Sequence, residues 1–124
     1  MKKILIVGGA GFIGHNLAIN LKKNGNNVLV VDSLEVNNLA SIESNVDNIP
    51  FPLLSKKIIH ERLDLLKKNN IDLKIQDARD YDEISKIVNT YKPDVLVHLA
   101  AVSHSNRSNK NPYSTFDHSL RTLE

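Results

Sequence analysis

The stretch "VGGAGFIG", residues 7–14, decides how this chain is interpreted. Gly9, Gly11 and Gly14 spell G-x-G-x-x-G, whereas Gly8, Gly11 and Gly14 spell G-x-x-G-x-x-G. Either spacing lets the backbone turn sharply from a strand into a helix and lets phosphate oxygens approach its N–H groups. A glycine loop alone is weak evidence for a nucleotide site, so the neighbouring residues must supply the rest.

The residues on either side of this loop have the patterns of a strand and a helix. Residues 4–7 form a continuous apolar run of β-formers, which is typical of a strand buried on both faces. After the loop, apolar residues recur every four positions from Ile13 to Leu21, which predicts an amphipathic helix with Gly25 as its C-terminal cap. The loop therefore joins a buried strand to a helix, as a phosphate-binding loop requires.

An acidic residue ends the second predicted strand. Residues 28–31 are apolar and lead to Asp32, where a carboxylate can accept both hydroxyls of an adenosine ribose and repel a 2′-phosphate. No Arg or Lys occurs in residues 33–55 to receive such a phosphate, so the pattern favours NAD over NADP. The alternative is a tight glycine turn that binds nothing. A Walker-type loop is excluded because no Lys-Ser or Lys-Thr follows the last glycine.

The rest of the chain alternates helices and strands. Asp80 with Glu83 three residues later predicts one helix start, and Asn111 followed by Pro112 predicts another. The other predicted elements are a short helix within 34–46, a turn at 48–54, a helix over 55–69 and strands over 71–75 and 95–99. The predicted buried face of the last helix consists of Phe116, Leu120 and Leu123.

This alternation indicates a parallel sheet covered by helices on both faces, and right-handed crossovers make it doubly wound. The predicted fold class is therefore α/β, a Rossmann-type doubly wound parallel sheet of about four βα units with strand order 3-2-1-4. Residues 1–124 are predicted to form one dinucleotide-binding domain. Because the sequence ends inside the last predicted helix, we expect a truncated version of the fold.

Composition excludes several classes of function. The chain of 124 residues has a formal net charge of +2, which is too small to indicate nucleic acid or a membrane surface as a partner. Because it contains no cysteine, disulfides and thiolate metal sites are excluded, and its five histidines lack metal-ligand spacing. Glycines interrupt the apolar stretch after "MKK", so a signal peptide is not favoured and a cytoplasmic location is expected.

Several stretches together resemble the extended short-chain dehydrogenase/reductase family, the NAD-dependent epimerases and dehydratases of nucleotide sugars. They are "VGGAGFIGHNL", "VLVVDSL", "QDARD", "VLVHLAAVS" and the helix that ends in "DHSLRTLE", in the family's order and spacing. The resemblance implies the G-x-x-G-x-x-G spelling, NAD as cofactor, and contact of Asp77 with adenine. The cofactor-binding residues that it implies are Gly8, Gly11, Phe12, Ile13, Gly14, Asp32, Asp77, Ala78, Leu99, Ala100 and Ala101.

The chain departs from the family in its catalytic residues. The family uses a Tyr-x-x-x-Lys pair, in which Tyr acts as acid and base at a sugar hydroxyl. Here no tyrosine has a Lys four residues on, and His118 and Arg121 replace the Asn and Gly of the family's last helix motif. We therefore expect no turnover by this chain alone and assign no catalytic residue. Whether the chain is an enzyme stays open at this point.

The predicted function is NAD binding in the N-terminal portion of a nucleotide-sugar epimerase or dehydratase. A nucleotide-sugar substrate is expected only if the missing C-terminal region is present. The alternatives are a stand-alone, non-catalytic nucleotide-binding module and an inactive truncated fragment. The open sheet edge beside the fourth strand also predicts self-association as a homo-oligomer.

Four residues keep two interpretations each. His15 either touches the cofactor pyrophosphate or faces solvent, and Asp77 either contacts adenine or helps to cap the following helix. Ser103 and Ser105 either line the nicotinamide side of the site or only end a strand.

Overall fold

A computed structural model of the chain describes residues 1–35, 39–43, 49–101 and 111–123. Its elements alternate between strand and helix almost throughout, as the sequence predicts. They are β1 (Lys3–Val7), α1 (Phe12–Lys23), β2 (Asn27–Asp32), α2 (Leu39–Glu43), α3 (Pro52–Lys68), β3 (Asp72–Ile75), α4 (Tyr81–Tyr91), β4 (Val95–His98) and α5 (Pro112–Ser119), followed by a 3₁₀ turn (Arg121–Leu123).

The four strands form one parallel sheet in the order β3-β2-β1-β4. This confirms the predicted Rossmann-type architecture and the strand order 3-2-1-4. Strand β1 is central, and its Leu5 lies opposite Leu29 of β2 on one side and Leu96 of β4 on the other. The strand order reverses at β1, so a crevice forms at the carboxyl ends of β1 and β4.

The two faces of the sheet bury alternate residues of the same strands, because successive side chains of a strand point to opposite faces. One face packs against α1 and α3, with a core of Ile4, Ile6, Ala18, Val28, Val30, Leu66 and Ile71. The other packs against α4, with a core of Leu5, Val7, Leu29, Val31 and Ile87. Burial on both faces explains why β1 and β2 have continuous apolar sequences rather than alternating ones.

The predicted helix caps are present. Gly25 has a φ of +80°, and its N–H donates to the carbonyl oxygen of Lys22 just beyond α1. The Asp80 carboxylate accepts the N–H of Glu83 at 3.2 Å, and the Asn111 side chain accepts the N–H of Ser114 at 2.9 Å. Each bond satisfies a backbone group that a helix end leaves unpaired.

Helix α3 begins at Pro52, three residues before its predicted start, so the turn predicted over 48–54 is wrong in its second half. Phe51 adopts a left-handed conformation with a φ of +54° and turns the chain into the helix. A proline suits the first helical position because that position needs no N–H donor. The second proline of "NIPFPLL", Pro52, therefore begins α3 rather than a turn.

The predicted buried face of the last helix is wrong. Phe116, Leu120 and Leu123 are 63%, 53% and 63% exposed, and α5 gives way after Ser119 to the 3₁₀ turn. Asp117 and Thr122 instead form hydrogen bonds to the body of the domain, to Arg79 and His98 respectively. Polar contacts, rather than apolar burial, orient this helix. Among the described residues, no helix combines the length and apolar character that crossing a bilayer requires.

Candidate functional site

A cavity of about 400 Å³ opens at the carboxyl ends of the strands, where the strand order reverses. Val7 and Val31 form its floor at the ends of β1 and β2, and Leu99 follows β4 at its side. Open α/β sheets bind their ligands at this place, and the volume is typical of small-molecule sites.

All eleven residues predicted to bind the cofactor line this one cavity. They are Gly8, Gly11, Phe12, Ile13, Gly14, Asp32, Asp77, Ala78, Leu99, Ala100 and Ala101. They come from four separate sequence stretches, three that follow β1, β3 and β4 and one, Asp32, that ends β2. The fold brings the four stretches together, whereas the role of each residue toward a cofactor stays a prediction.

The glycine loop packs too closely for side chains at two of its family positions. Gly8 has a φ of +78°, and a Cβ there would lie 2.5 Å from the backbone nitrogen of Ala100. A Cβ at Gly14 would lie 2.5 Å from the Cα of Gly9. The loop is also tied to β2, since the Gly8 N–H donates to the carbonyl oxygen of Val31 at 2.8 Å. The tight turn therefore needs glycine at both positions.

The third family glycine, Gly11, is not closely packed and lines the cavity. A Cβ there would meet nothing closer than the carbonyl oxygen of Gly8, at 3.4 Å. Gly11 is the N-cap of α1, and in the described part of the chain no side chain caps that end. Unpaired N–H groups at a helix N-terminus attract anions, so this wall of the cavity suits a phosphate.

Asp32 fixes two loops at the adjoining wall. Its Oδ2 accepts the N–H of Ala10 and its Oδ1 accepts the N–H of Leu34, both at 2.9 Å. Burial raises the pKa of Asp32, and the two backbone hydrogen bonds and the charge of Arg62 only partly offset that effect. The carboxylate keeps further lone pairs, which can accept hydroxyl groups of a ligand.

Arg62 of α3 also lines this wall, although none of the sequence motifs predicts it. Its Nη1 donates to the carbonyl oxygen of Ala10 at 3.2 Å. Burial lowers the pKa of Arg62, and the charge of Asp32 partly restores it. Arg62 lies beyond residues 33–55, the stretch after β2 that contains no basic residue. The available signal was the position of Arg62 on the inner face of α3, three residues after buried Ile59 and four before buried Leu66.

Arg79 joins the turn after β3 to α5. Its Nε donates to both carboxylate oxygens of Asp77 at 3.0 Å, and its Nη1 donates to Asp117 at 2.7 Å. The hydrogen bond from Arg79 holds the pKa of Asp77 below its usual range and does the same for Asp117, while it raises the pKa of Arg79. Asp80, not Asp77, caps α4. These contacts hold α5 beside the cavity, where His118 and Thr122 form part of the lining.

Two further histidines, His15 and His98, make hydrogen bonds inside the domain. His15 is buried, with 8% exposure, and its Nδ1 donates to the carbonyl oxygen of Gly11 at 2.9 Å, so it neither lines the cavity nor faces solvent. His98 lies 3.0 Å from the Thr122 hydroxyl through its Nε2, and burial lowers its pKa. The described residues hold no group of three or more potential metal ligands. Ser103 and Ser105 lie outside the described residues.

The family model described as the NAD dependent epimerase/dehydratase family matches residues 4–123. The chain belongs to this family. A bifunctional UDP-glucose 4-epimerase and UDP-xylose 4-epimerase of Pisum sativum is 28% identical over 96% of this chain and 30% of its own length. A dTDP-glucose 4,6-dehydratase of Salmonella typhimurium is 34% identical over 89% of this chain and 26% of its own length.

A solved structure also matches nearly all of this chain but less than a third of its own length. The UDP-glucose-4-epimerase of Stenotrophomonas maltophila, crystallised with NAD and formylated UDP-arabinopyranose, has a TM-score of 0.75 and 25% identity over 99% of this chain and 31% of that one. This chain thus spans less than a third of its relatives and matches their N-terminal portion. That match confirms the resemblance noted in the sequence and does not favour a stand-alone module.

We expect the Arg79 ion pairs to make folding stability depend on pH in the acid range. The pKa of Asp77 is lower in the folded chain than its ordinary value of 3.8. Above that value, the ionised Asp77 side chain therefore contributes its full stabilisation of the fold. This stabilisation is lost as the pH falls through the folded-state pKa, because the unfolded chain takes up the proton first. Loss of the Asp77 pair in Arg79→Gln should lower the free energy of unfolding by about 0.5–1 kcal/mol at pH 7. The effect is small because solvent screens this partly exposed pair.

Urea unfolding at pH 7 and pH 3 measures this effect. The difference between the wild type and Arg79→Gln should shrink at pH 3. Lys86→Gln is the matched control, because Lys86 pairs with Glu83 on the exposed face of α4, away from the cavity. Equal losses for Arg79→Gln at the two pH values would contradict the assignment.

Proposed function

We propose that this cavity binds NAD and that residues 1–124 form the NAD-binding Rossmann domain of an epimerase or dehydratase. One observation carries the proposal: four family motifs converge, residue by residue, on a single cavity at the switch point of the sheet. Family membership and the NAD-containing structures of similar proteins support the same cofactor. Bound NAD supplies a site that accepts a hydride and returns it.

The local geometry suits the parts of a dinucleotide. We propose that the uncapped N-terminus of α1 and the backbone of Gly11 bind the pyrophosphate, because no side chain fills that approach. Asp32 would accept the hydroxyls of the adenosine ribose. Asp77 and Ala78 would contact the adenine. Leu99, Ala100 and Ala101 would run along the remainder of the cofactor.

We infer that the described residues bind the cofactor without carrying the acid–base chemistry. None of the tyrosines in the described part of the chain lines the cavity. Tyr91 donates to the carbonyl oxygen of Asn27 near the amino end of the sheet, at 2.9 Å, and Tyr81 and Tyr113 are 68% and 80% exposed. A catalytic acid and base would therefore come from outside this set.

A nucleotide sugar is the proposed substrate class of the complete enzyme. The support comes from similar proteins, such as the Stenotrophomonas epimerase with formylated UDP-arabinopyranose and a Thermotoga maritima epimerase with UDP-glucose. Cytoplasmic location and homo-oligomer formation also stay predictions.

Calorimetric titration with NAD tests the cofactor proposal. We expect the wild type to bind NAD and Asp32→Ala to bind it at least tenfold more weakly, since a charged hydrogen-bond acceptor contributes about 1.5–3 kcal/mol. Thermal unfolding should accompany the titration, because Asp32 also holds Ala10 and Leu34.

Asp64→Ala is the matched control for this experiment. It removes an exposed carboxylate of α3 that does not line the cavity, so NAD affinity should not change. A folded wild-type chain that fails to bind NAD would contradict the proposal.

A further inference from the structure

The wall that carries Asp32 also carries a guanidinium that lies outside the family motifs quoted above. Arg62 comes from α3, and its Nη1 donates to the carbonyl oxygen of Ala10. Asp32 accepts the N–H of the same Ala10. Both side chains therefore converge on one residue within the glycine loop, and they bring opposite charges to one end of the cavity.

Arg62 is not fully satisfied by its surroundings. Its Nε is buried and has no hydrogen-bond partner in the part of the chain that the structure describes. Within that same part, no carboxylate approaches the Arg62 nitrogens closely enough to form an ion pair, and the Asp32 charge acts on it only at longer range. A buried donor without a partner costs about 1–3 kcal/mol, so such a group calls for an explanation.

The other arginine that lines the cavity, Arg79, is paired with carboxylates. Arg79 uses its Nε on Asp77 and its Nη1 on Asp117, and Glu35 lies 3.6 Å from its Nη2. Its charge and its donors are therefore already committed to carboxylates. Of the two guanidiniums that line the cavity, Arg62 is the one with a buried nitrogen that finds no partner among the described residues.

We propose that Arg62 is a ready receptor for a phosphate on the 2′ oxygen of the adenosine ribose, and that Asp32 alone keeps such a phosphate out. This inference rests on the proposed NAD site. A guanidinium binds phosphate oxygens with several directed N–H donors, whereas a carboxylate repels them. Asp32 lies at the ribose position and both repels the phosphate and offsets the charge of Arg62. Neutralising Asp32 should thus be enough to admit NADP, without any added basic residue.

The test compares NAD with NADP, and 5′-AMP with adenosine 2′,5′-bisphosphate, by calorimetry. The members of each pair differ only in the 2′-phosphate. The wild type should favour NAD. Asp32→Asn, which keeps an acceptor for Ala10 or Leu34, should shift the NADP/NAD affinity ratio by at least about 50-fold toward NADP. Adding Arg62→Gln to this variant should lose at least about tenfold of its NADP affinity and leave its NAD affinity nearly unchanged.

Lys57→Gln, added to Asp32→Asn, is the control for a general charge effect. Lys57 is an exposed cation of the same helix, so its loss should leave the NADP affinity nearly unchanged. Thermal unfolding of every variant establishes that it is folded.

The outcomes separate the two proposals. If Asp32→Asn binds NAD but gains nothing for NADP, the role of Arg62 is overturned and the NAD site stands. If the double variant keeps the NADP gain, or Lys57→Gln removes it equally, Arg62 is not the receptor. If the folded wild type binds neither dinucleotide, the proposed function itself fails.

Discussion

Gly14→Ala should destabilise the chain by about 3 kcal/mol and abolish dinucleotide binding. The new Cβ would lie 2.5 Å from the Cα of Gly9 and 2.8 Å from the carbonyl oxygen of Gly8. Both contacts are with backbone, so no side chain can rotate away to relieve them. Helix α1 must then move from the glycine loop, which separates the helix N-terminus from the loop backbone. The same displacement opens the core and distorts the anion-binding wall.

Gly11→Ala is the matched control, because it makes the same change three residues earlier in the same loop. Its Cβ would meet only the Gly8 carbonyl oxygen, at 3.4 Å, and its φ of −72° suits any residue. The loss should be at most about 1 kcal/mol, since alanine is a poorer N-cap than glycine. Urea unfolding of both variants measures this contrast in stability, and NAD titration of Gly14→Ala measures the loss of binding. Equal unfolding midpoints for Gly11→Ala and Gly14→Ala would show that the loop is not as tight as described.

The parts of the site that the sequence predicts correctly depend on local rules. The glycine turn, the acid that ends β2 and the capping residues Asp80 and Asn111 are each defined by a few adjacent residues. The strand order follows from the same local elements, because right-handed crossovers restrict how they can assemble. Four local motifs therefore predict a cavity whose lining spans most of the chain.

The features that the sequence does not predict depend on distant contacts. Arg62 reaches Ala10 across 52 residues, and Arg79 reaches Asp117 across 38. Periodicity marks Arg62 as facing inward but cannot say which backbone group it contacts. The predicted buried face of the last helix is wrong for the same reason. Its apolar residues suggested a buried face, whereas its position is set by hydrogen bonds with Arg79 and His98, which no local pattern reveals.

Leu5→Ala should lower the free energy of unfolding by about 3–4 kcal/mol. Leu5 is fully buried at the middle of the central strand and packs with Leu29 and Ile87 in the core beneath α4. Strands β2 and β4 hold β1 on both sides, so the sheet cannot collapse into the space that the side chain leaves. The resulting cavity adds its own cost to the lost burial of the leucine.

Leu96→Ala is the matched control, because Leu96 is paired with Leu5 in the sheet and shares its face, yet it is 50% exposed. It should lose less than about 1 kcal/mol, since little burial is removed. Urea unfolding at two protein concentrations distinguishes the two sites. A large loss at Leu96 that grows with protein concentration would show that a second copy covers β4, as the open sheet edge predicts. A loss at Leu5 no larger than that at Leu96, at both concentrations, would contradict the central position of β1 in the core.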